Sequence, residues 1–175
     1  MQRCQSLPCQ IIMKKLWLIL LGFIPVLSCT KDHNDHNWQV EVYLLSSSSL
    51  IPGQCAVNPA TAVLENTAFI KNDEIVSYDM TEYKFFLSAA ASQKMRALQL
   101  SAPFAVTVNK EVIYFGIIMP MTMSSTCDHS ITVSPLGDQL WVRLGYPGLM
   151  TGIVIDDQRN NSKLIGALRS QGKLK

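Results

Sequence analysis

Residues 104–118, FAVTVNKEVIYFGII, constrain the fold of this chain more than any other stretch. Apolar residues recur at every second position on both sides of Asn109-Lys110, a period that belongs to strands and not to helices. Asn tolerates the positive φ that a two-residue hairpin turn demands, so the stretch reads as two strands joined at Asn109-Lys110. With a loop of only those two residues, Val108 should face Glu111, Val106 should face Ile113 and Phe104 should face Phe115. One face then collects Phe104, Val106, Val108, Ile113, Phe115 and Ile117. At about 1.5–3 kcal/mol for each fully buried large apolar side chain, that face should dominate the core.

Weaker signals of the same kind flank the hairpin. Val40, Val42 and Leu44 alternate with Gln39, Glu41 and Tyr43, predicting a strand over residues 38–45 that Pro52-Gly53 and the serines before it break. Residues 73–87 read as two short strands around a turn at 79–82. Ser88 is a good N-cap, and Ala91, Met95 and Leu98 form one apolar stripe, which predicts a helix over 88–100 ended by Pro103. Strands are predicted at 131–133, before a break at Pro135 and Gly137, and at 139–146. Residues 153–155 are a short apolar run. A last helix should start near Asn160 or Asn161, bury Leu164, Ile165 and Leu168, and end before Gly172. The expected fold class is α+β: an antiparallel sheet with a central β-hairpin, one internal helix and a C-terminal helix, in a single domain over residues 38–175.

Composition narrows the function classes. The chain has 175 residues, 48% of them hydrophobic and 16% charged, which excludes a disordered tail or a charged coiled coil. A net charge of +2 with no basic cluster outside the N-terminus argues against nucleic acid as a partner.

The N-terminus speaks to location. Lys14 and Lys15 stand before LWLILLGFIPVLS, residues 16–28, which carry no charge. A positive region, a short apolar run and a small residue are the layout of a secretory signal, and the run is shorter than the roughly 20 apolar residues that a spanning helix needs. It ends in Val26-Leu27-Ser28-Cys29, which resembles a bacterial lipobox. That resemblance implies cleavage before Cys29 and lipidation of its sulfur, with several acyl chains anchoring the mature protein. Met13 is the more natural start. Residues 1–28 are then the signal peptide, and residues 29–37 a polar lipidated tether. Losing Arg3, Lys14 and Lys15 turns the charge balance slightly negative.

Beyond Cys29, Cys55 and Cys127 are the cysteines of the mature chain. In an oxidising compartment they can form a bridge; two separate buried thiols are the alternative. A third use competes for Cys127. Met119, Met121 and Met123 lie at period two, so in an extended chain three thioethers share one face, with Cys127 and His129 close behind. Soft sulfur ligands select Cu(I), and these five residues are the candidate copper site. Asp32, His33, Asp35 and His36 form a second, weaker ligand cluster on the tether. Asp128-His129-Ser130 names the members of a hydrolase triad, but three consecutive side chains do not form its geometry. The pairs Asp73-Glu74 and Asp156-Asp157 read as solvated carboxylates or helix-end charges, and residues 146–150, YPGLM, as a turn packed on the sheet.

The order DEIVSYD, YKFFLS with a helix, PFAVTVNKEVIYFG, LGYPG and DDQRNN, across residues 64–175, resembles a group of small uncharacterised bacterial envelope lipoproteins. The resemblance implies a compact α+β domain on a lipid tether and brings no functional residue with it. The expected function is a membrane-tethered, non-enzymatic binding module of the outer membrane, its partner another envelope protein or a glycan. The alternatives are the copper-binding lipoprotein and an enzyme with no recognisable motif.

Overall fold

A computed structural model of the chain describes residues 37–98 and 101–175. Cys29, the expected signal peptide over residues 1–28 and the candidate ligands Asp32, His33, Asp35 and His36 lie outside the described residues. In chain order the elements are β1 (Val40–Ser47), β2 (Val63–Leu64), β3 (Ile75–Asp79), β4 (Lys84–Leu87), α1 (Ala89–Ala97), β5 (Ala102–Val108), β6 (Glu111–Ile118), β7 (Cys127–Leu136), β8 (Gln139–Tyr146) and α2 (Ser162–Ser170). The strands form one sheet in the order β2-β1-β5-β6-β7-β8-β4-β3. The described residues therefore form a strand-rich mixed fold, one eight-stranded sheet with two helices. The sheet is not purely antiparallel: β6 and β7 run parallel, because residues 119–126 carry the chain back before β7 begins.

The sheet is strongly curled. Six strand spacings separate β1 from β3, about 29 Å in a flat sheet at roughly 4.8 Å each. Yet Ile70 bridges Val42 on β1 while Ile75 opens β3, and five residues reach at most about 18 Å. The curl wraps a core to which both helices contribute. Ala91 and Met95 of α1 and Leu164, Ile165, Ala167 and Leu168 of α2 pack with Val40, Phe104, Val106, Tyr78 and Phe85 from the strands. Ser88 caps α1 by accepting from the Ala91 amide, and Asn161 caps α2 by accepting from the Lys163 amide. Gly172 takes φ 67° just beyond α2, the left-handed conformation that a helix stop requires.

The central hairpin turns at Asn109-Lys110, with φ of 52° and 65°. Its register differs from the simple expectation. Val108 faces Glu111, but Thr107 faces Val112 and Val106 faces Tyr114, so Ile113 is an extra residue in β6. A bulge of one residue moves everything beyond it to the opposite face. Tyr114 and Ile118 therefore join Phe104 and Val106 in the main core, and Phe104 faces Gly116. Phe115 and Ile117 turn away into a second cluster with Val57, Met119, Cys127 and Tyr146. That second cluster lies under the loop between β1 and β2.

One smaller expectation, the break at Pro135, is also corrected. β7 runs through Pro135 to Leu136 and turns at Gly137, whose φ is 64°. Residues 153–155 form no strand, and Val154 is 92% exposed.

Candidate functional site

The N-terminal end of β7 breaks the regular ladder. Its pairing with β8 slips between Cys127↔Tyr146 and Ile131↔Leu144. In a regular strand consecutive side chains point to opposite faces. In this irregular stretch Asp128 and His129 meet, Oδ1 to Nδ1 at 2.7 Å. The hydrogen bond from His129 holds the Asp128 carboxyl below the usual carboxylate range. With Nδ1 engaged, the imidazole has its Nε2 left for another partner. Ser130 does not complete a triad: its hydroxyl donates to the Ile131 carbonyl at 3.2 Å.

His129 opens onto a cleft of about 290 Å³ whose lining includes Val57, Tyr114, Phe115, Val154 and Asp156. β6 and β7 form its base. The β1–β2 loop supplies one wall and residues 154–158 the other. Both walls are fastened. On the loop side Cys55 and Cys127 form a disulfide, with sulfurs 2.03 Å and Cα atoms 5.0 Å apart. Asn58 caps the 3-10 turn Pro59–Thr61 in the same loop by accepting from the Ala60 amide. On the other side Asp157 and Arg159 pair through both carboxylate oxygens, at 2.8 and 2.7 Å. The Arg159 guanidinium lies 3.6 Å over the Tyr83 ring. The Tyr78 hydroxyl donates to the Arg159 carbonyl at 2.9 Å, and the Asn160 amide donates to the Met80 carbonyl at 3.0 Å. The hydrogen bonds from Arg159 keep the Asp157 carboxyl low. The DDQRNN segment is thus a clamp between the β3–β4 turn and the start of α2.

The cleft's polar groups have uneven demands on them. One Asp156 oxygen accepts from the Gln158 side-chain amide at 2.8 Å. The Gln158 carbonyl accepts in turn from Asn161 at 2.7 Å. Tyr114 also lines the cleft, but its hydroxyl is sealed inside the main core, away from solvent, and has no hydrogen-bond partner. Its ring packs edge-on to Phe104, centroids 6.3 Å apart. Burial pushes the Tyr114 phenol well above its ordinary range, so it stays protonated and able to donate.

The candidate copper ligands do not assemble. The Cys127 sulfur is in the disulfide with Cys55 and is no longer a thiolate. The chain is not extended at Met119, Met121 and Met123, because the Met123 amide donates to the Pro120 carbonyl and folds residues 120–123 into a turn. Met119 is buried in the second cluster, Met121 is half exposed, and Met123 packs only at the cluster's edge. His129 is engaged by Asp128 instead. Among the described residues no group of three His, Cys, Asp or Glu side chains converges as a metal site would require.

The YPGLM loop is fixed at one end: the Tyr146 ring is buried, and its hydroxyl contacts the Met121 and Met123 carbonyls at 3.3 and 3.1 Å. Leu149 and Met150 at its other end are about half exposed. Tyr114, Asp156 and Gln158 have no chemical motif in sequence; the only trace was the dense polar run at 156–161. Comparison with known proteins finds no protein family, no curated protein and no solved structure that matches this chain.

Proposed function

We propose that this protein is a lipid-anchored lipoprotein of the bacterial outer membrane whose folded domain is a non-enzymatic binding module, with the cleft beside His129 as its binding site. The observation that carries the reading is the pairing of two independent signs of export. One is the run of residues 14–29, charge, apolar stretch, small residue and Cys29, in the order a lipoprotein signal needs. The other is the Cys55–Cys127 disulfide, a bond that persists in oxidising compartments and is rare in the cytosol. A cleft with both walls fastened suits binding, since little ordering has to accompany ligand entry. Binding is favoured over turnover because the Ser130 hydroxyl is committed to a backbone carbonyl and not to His129.

Membrane fractionation tests the reading. In a Gram-negative host the full chain should sediment with the outer membrane, and Cys29→Ala should move it to the soluble or inner-membrane fraction. Identical fractionation of the two forms would overturn it.

A further inference from the structure

Three of the exposed large apolar side chains fall within six residues after β8: Leu149, Met150 and Val154, at 53%, 49% and 92% exposure. Single apolar residues on a surface are ordinary, but three together on one loop point to a contact. No charged residue stands between Arg143 and Asp156, so no side chain of the loop resists entry into an apolar medium. The Ile153 amide donates to the Met150 carbonyl at 3.2 Å, and Gly152 takes φ 84°. That tight turn brings Leu149 and Met150 on one side together with Ile153 and Val154 on the other, as one tip. Its base is held: Tyr146 is buried on one side, and the Asp157–Arg159 pair fixes the other.

The strand directions show where the tip lies. β1 begins beside the Asn109-Lys110 turn, where Val40 pairs with Val108 and the Gln39 amide donates to the Asn109 side chain at 2.8 Å. β6 leaves that turn. β7 runs parallel to β6 and so starts at the same end, and β8 runs antiparallel to β7 and returns to it. The chain leaves β8 at Tyr146 for the loop, at that end. Lys163 at the start of α2 pairs with Glu111 at the start of β6, which keeps the segment beyond the loop there too. The entry of the chain at Asn37 and the apolar tip therefore share one end of the sheet. Seven residues separate Asn37 from Cys29, a reach of about 26–29 Å at full extension.

We propose that Leu149, Met150 and Val154 insert into the phospholipid layer beside the anchor, so that the domain is held by the lipid on Cys29 and by this apolar tip together. The proposal rests on the lipoprotein reading, which sets the reach of the tether, and adds the surface that meets the membrane. The occupant is the acyl boundary of the layer and not a headgroup, because the tip offers no charge for a headgroup to pair with. The acids just beyond it are already engaged, Asp156 by the Gln158 amide and Asp157 by Arg159. Shallow burial of apolar side chains at the headgroup boundary strengthens attachment in proportion to the area buried.

The test places an environment-sensitive fluorophore on one added cysteine at a time, in the full chain purified from membranes and reconstituted into phosphatidylcholine vesicles. Cys55 and Cys127 are in their disulfide and do not compete for the label. The variants are Leu149→Cys, Val154→Cys and, as a comparison, Leu136→Cys. Leu136 is about as exposed as Leu149 but lies at the opposite end of the sheet, where β7 stops. Labels at Leu149 and Val154 should emit further to the blue than the label at Leu136. They should also lose most of their emission when nitroxide-bearing phosphatidylcholine is included, while the label at Leu136 keeps its own. Thermal melts report folding of each variant separately. Unquenched labels at both loop positions, or equal quenching at all three positions, would overturn the proposal. A blue shift at Val154 without quenching would overturn it too, by putting a second copy of the chain on the tip in place of lipid. The mass of the purified chain reads the anchor independently. Lipidated Cys29 with unquenched loop labels refutes insertion only, and quenched loop labels on an unlipidated chain refute the lipoprotein reading only.

Discussion

Phe104 fills the space that a side chain on Gly116 would need. A Cβ at position 116 would lie 2.6 Å from the Phe104 ring and 2.5 Å from the Ile131 carbonyl oxygen. Gly116 sits mid-strand, paired with Phe104 on β5 and Ile131 on β7, so backbone on one side and a buried ring on the other leave nowhere to shift. Gly116→Ala should therefore destabilise the domain by about 2–3 kcal/mol, the scale of overpacking a filled core. A denaturant titration reads this as a lower midpoint at unchanged slope; a midpoint equal to wild type would contradict the packing described.

The disulfide should matter to the loop more than to the sheet. It closes a separation of 72 residues, for which the chain-entropy model gives about 4 kcal/mol. Cys55→Ser with Cys127→Ser should lower the melting temperature by several degrees. It should also raise amide exchange at Ala56 and Val57, while amides of β5 and β6 remain the slowest to exchange. Uniform acceleration across the sheet would mean the loop is not a separate, stapled layer.

Glu74 ties the curl together. Its carboxylate accepts from the Lys71 amide at 2.9 Å and from Lys94 on α1 at 2.7 Å. Burial alone pushes the Glu74 carboxyl up, but the Lys71 amide and the Lys94 ammonium outweigh it and leave it below its ordinary value. A carboxyl lowered by folding stabilises the protein above its unfolded pKa and loses that contribution as pH falls through the folded value. Glu74→Gln should cost about 1 kcal/mol at neutral pH. The gap from wild type should close as pH falls below about 4. Denaturation of both proteins across pH checks it, and a gap independent of pH would contradict the assignment.

Tyr114→Phe is expected to do the unusual thing and stabilise the unliganded protein. Its hydroxyl is buried without a partner, and removing such a group recovers about 1 kcal/mol of desolvation. Thermal melts of the two forms decide it; a less stable Tyr114→Phe would show that the hydroxyl is satisfied in the free protein.

Much of the fold could be read from residue patterns, and the failures share a cause. The turn at Asn109-Lys110, the cap at Ser88, the start of α2 near Asn160 or Asn161 and the buried stripes of both helices were legible because each depends on neighbours in sequence. The bulge at Ile113 was not, since no glycine or proline marks it; its effect is to put Tyr114 and Ile118, and not Phe115 and Ile117, in the core with Phe104. Gly116 carries no signal of its own in sequence, because its constraint comes from the Phe104 ring that lies over it. The candidate site was less legible still. Asp128 and His129 pair where β7 slips against β8, and Asp156 comes to the same cleft as His129 from a distant segment. The three methionines suggested a ligand face only if extended, and the turn at 120–123 removes that premise.

Intact-mass and peptide mass spectrometry of the chain purified from membranes decides whether Cys29 is the lipidated first residue of the mature protein, as proposed. The expected N-terminal peptide begins at Cys29 and carries a diacylglyceryl group, with residues 1–28 absent. An unmodified Cys29 still joined to Ser28 would contradict it.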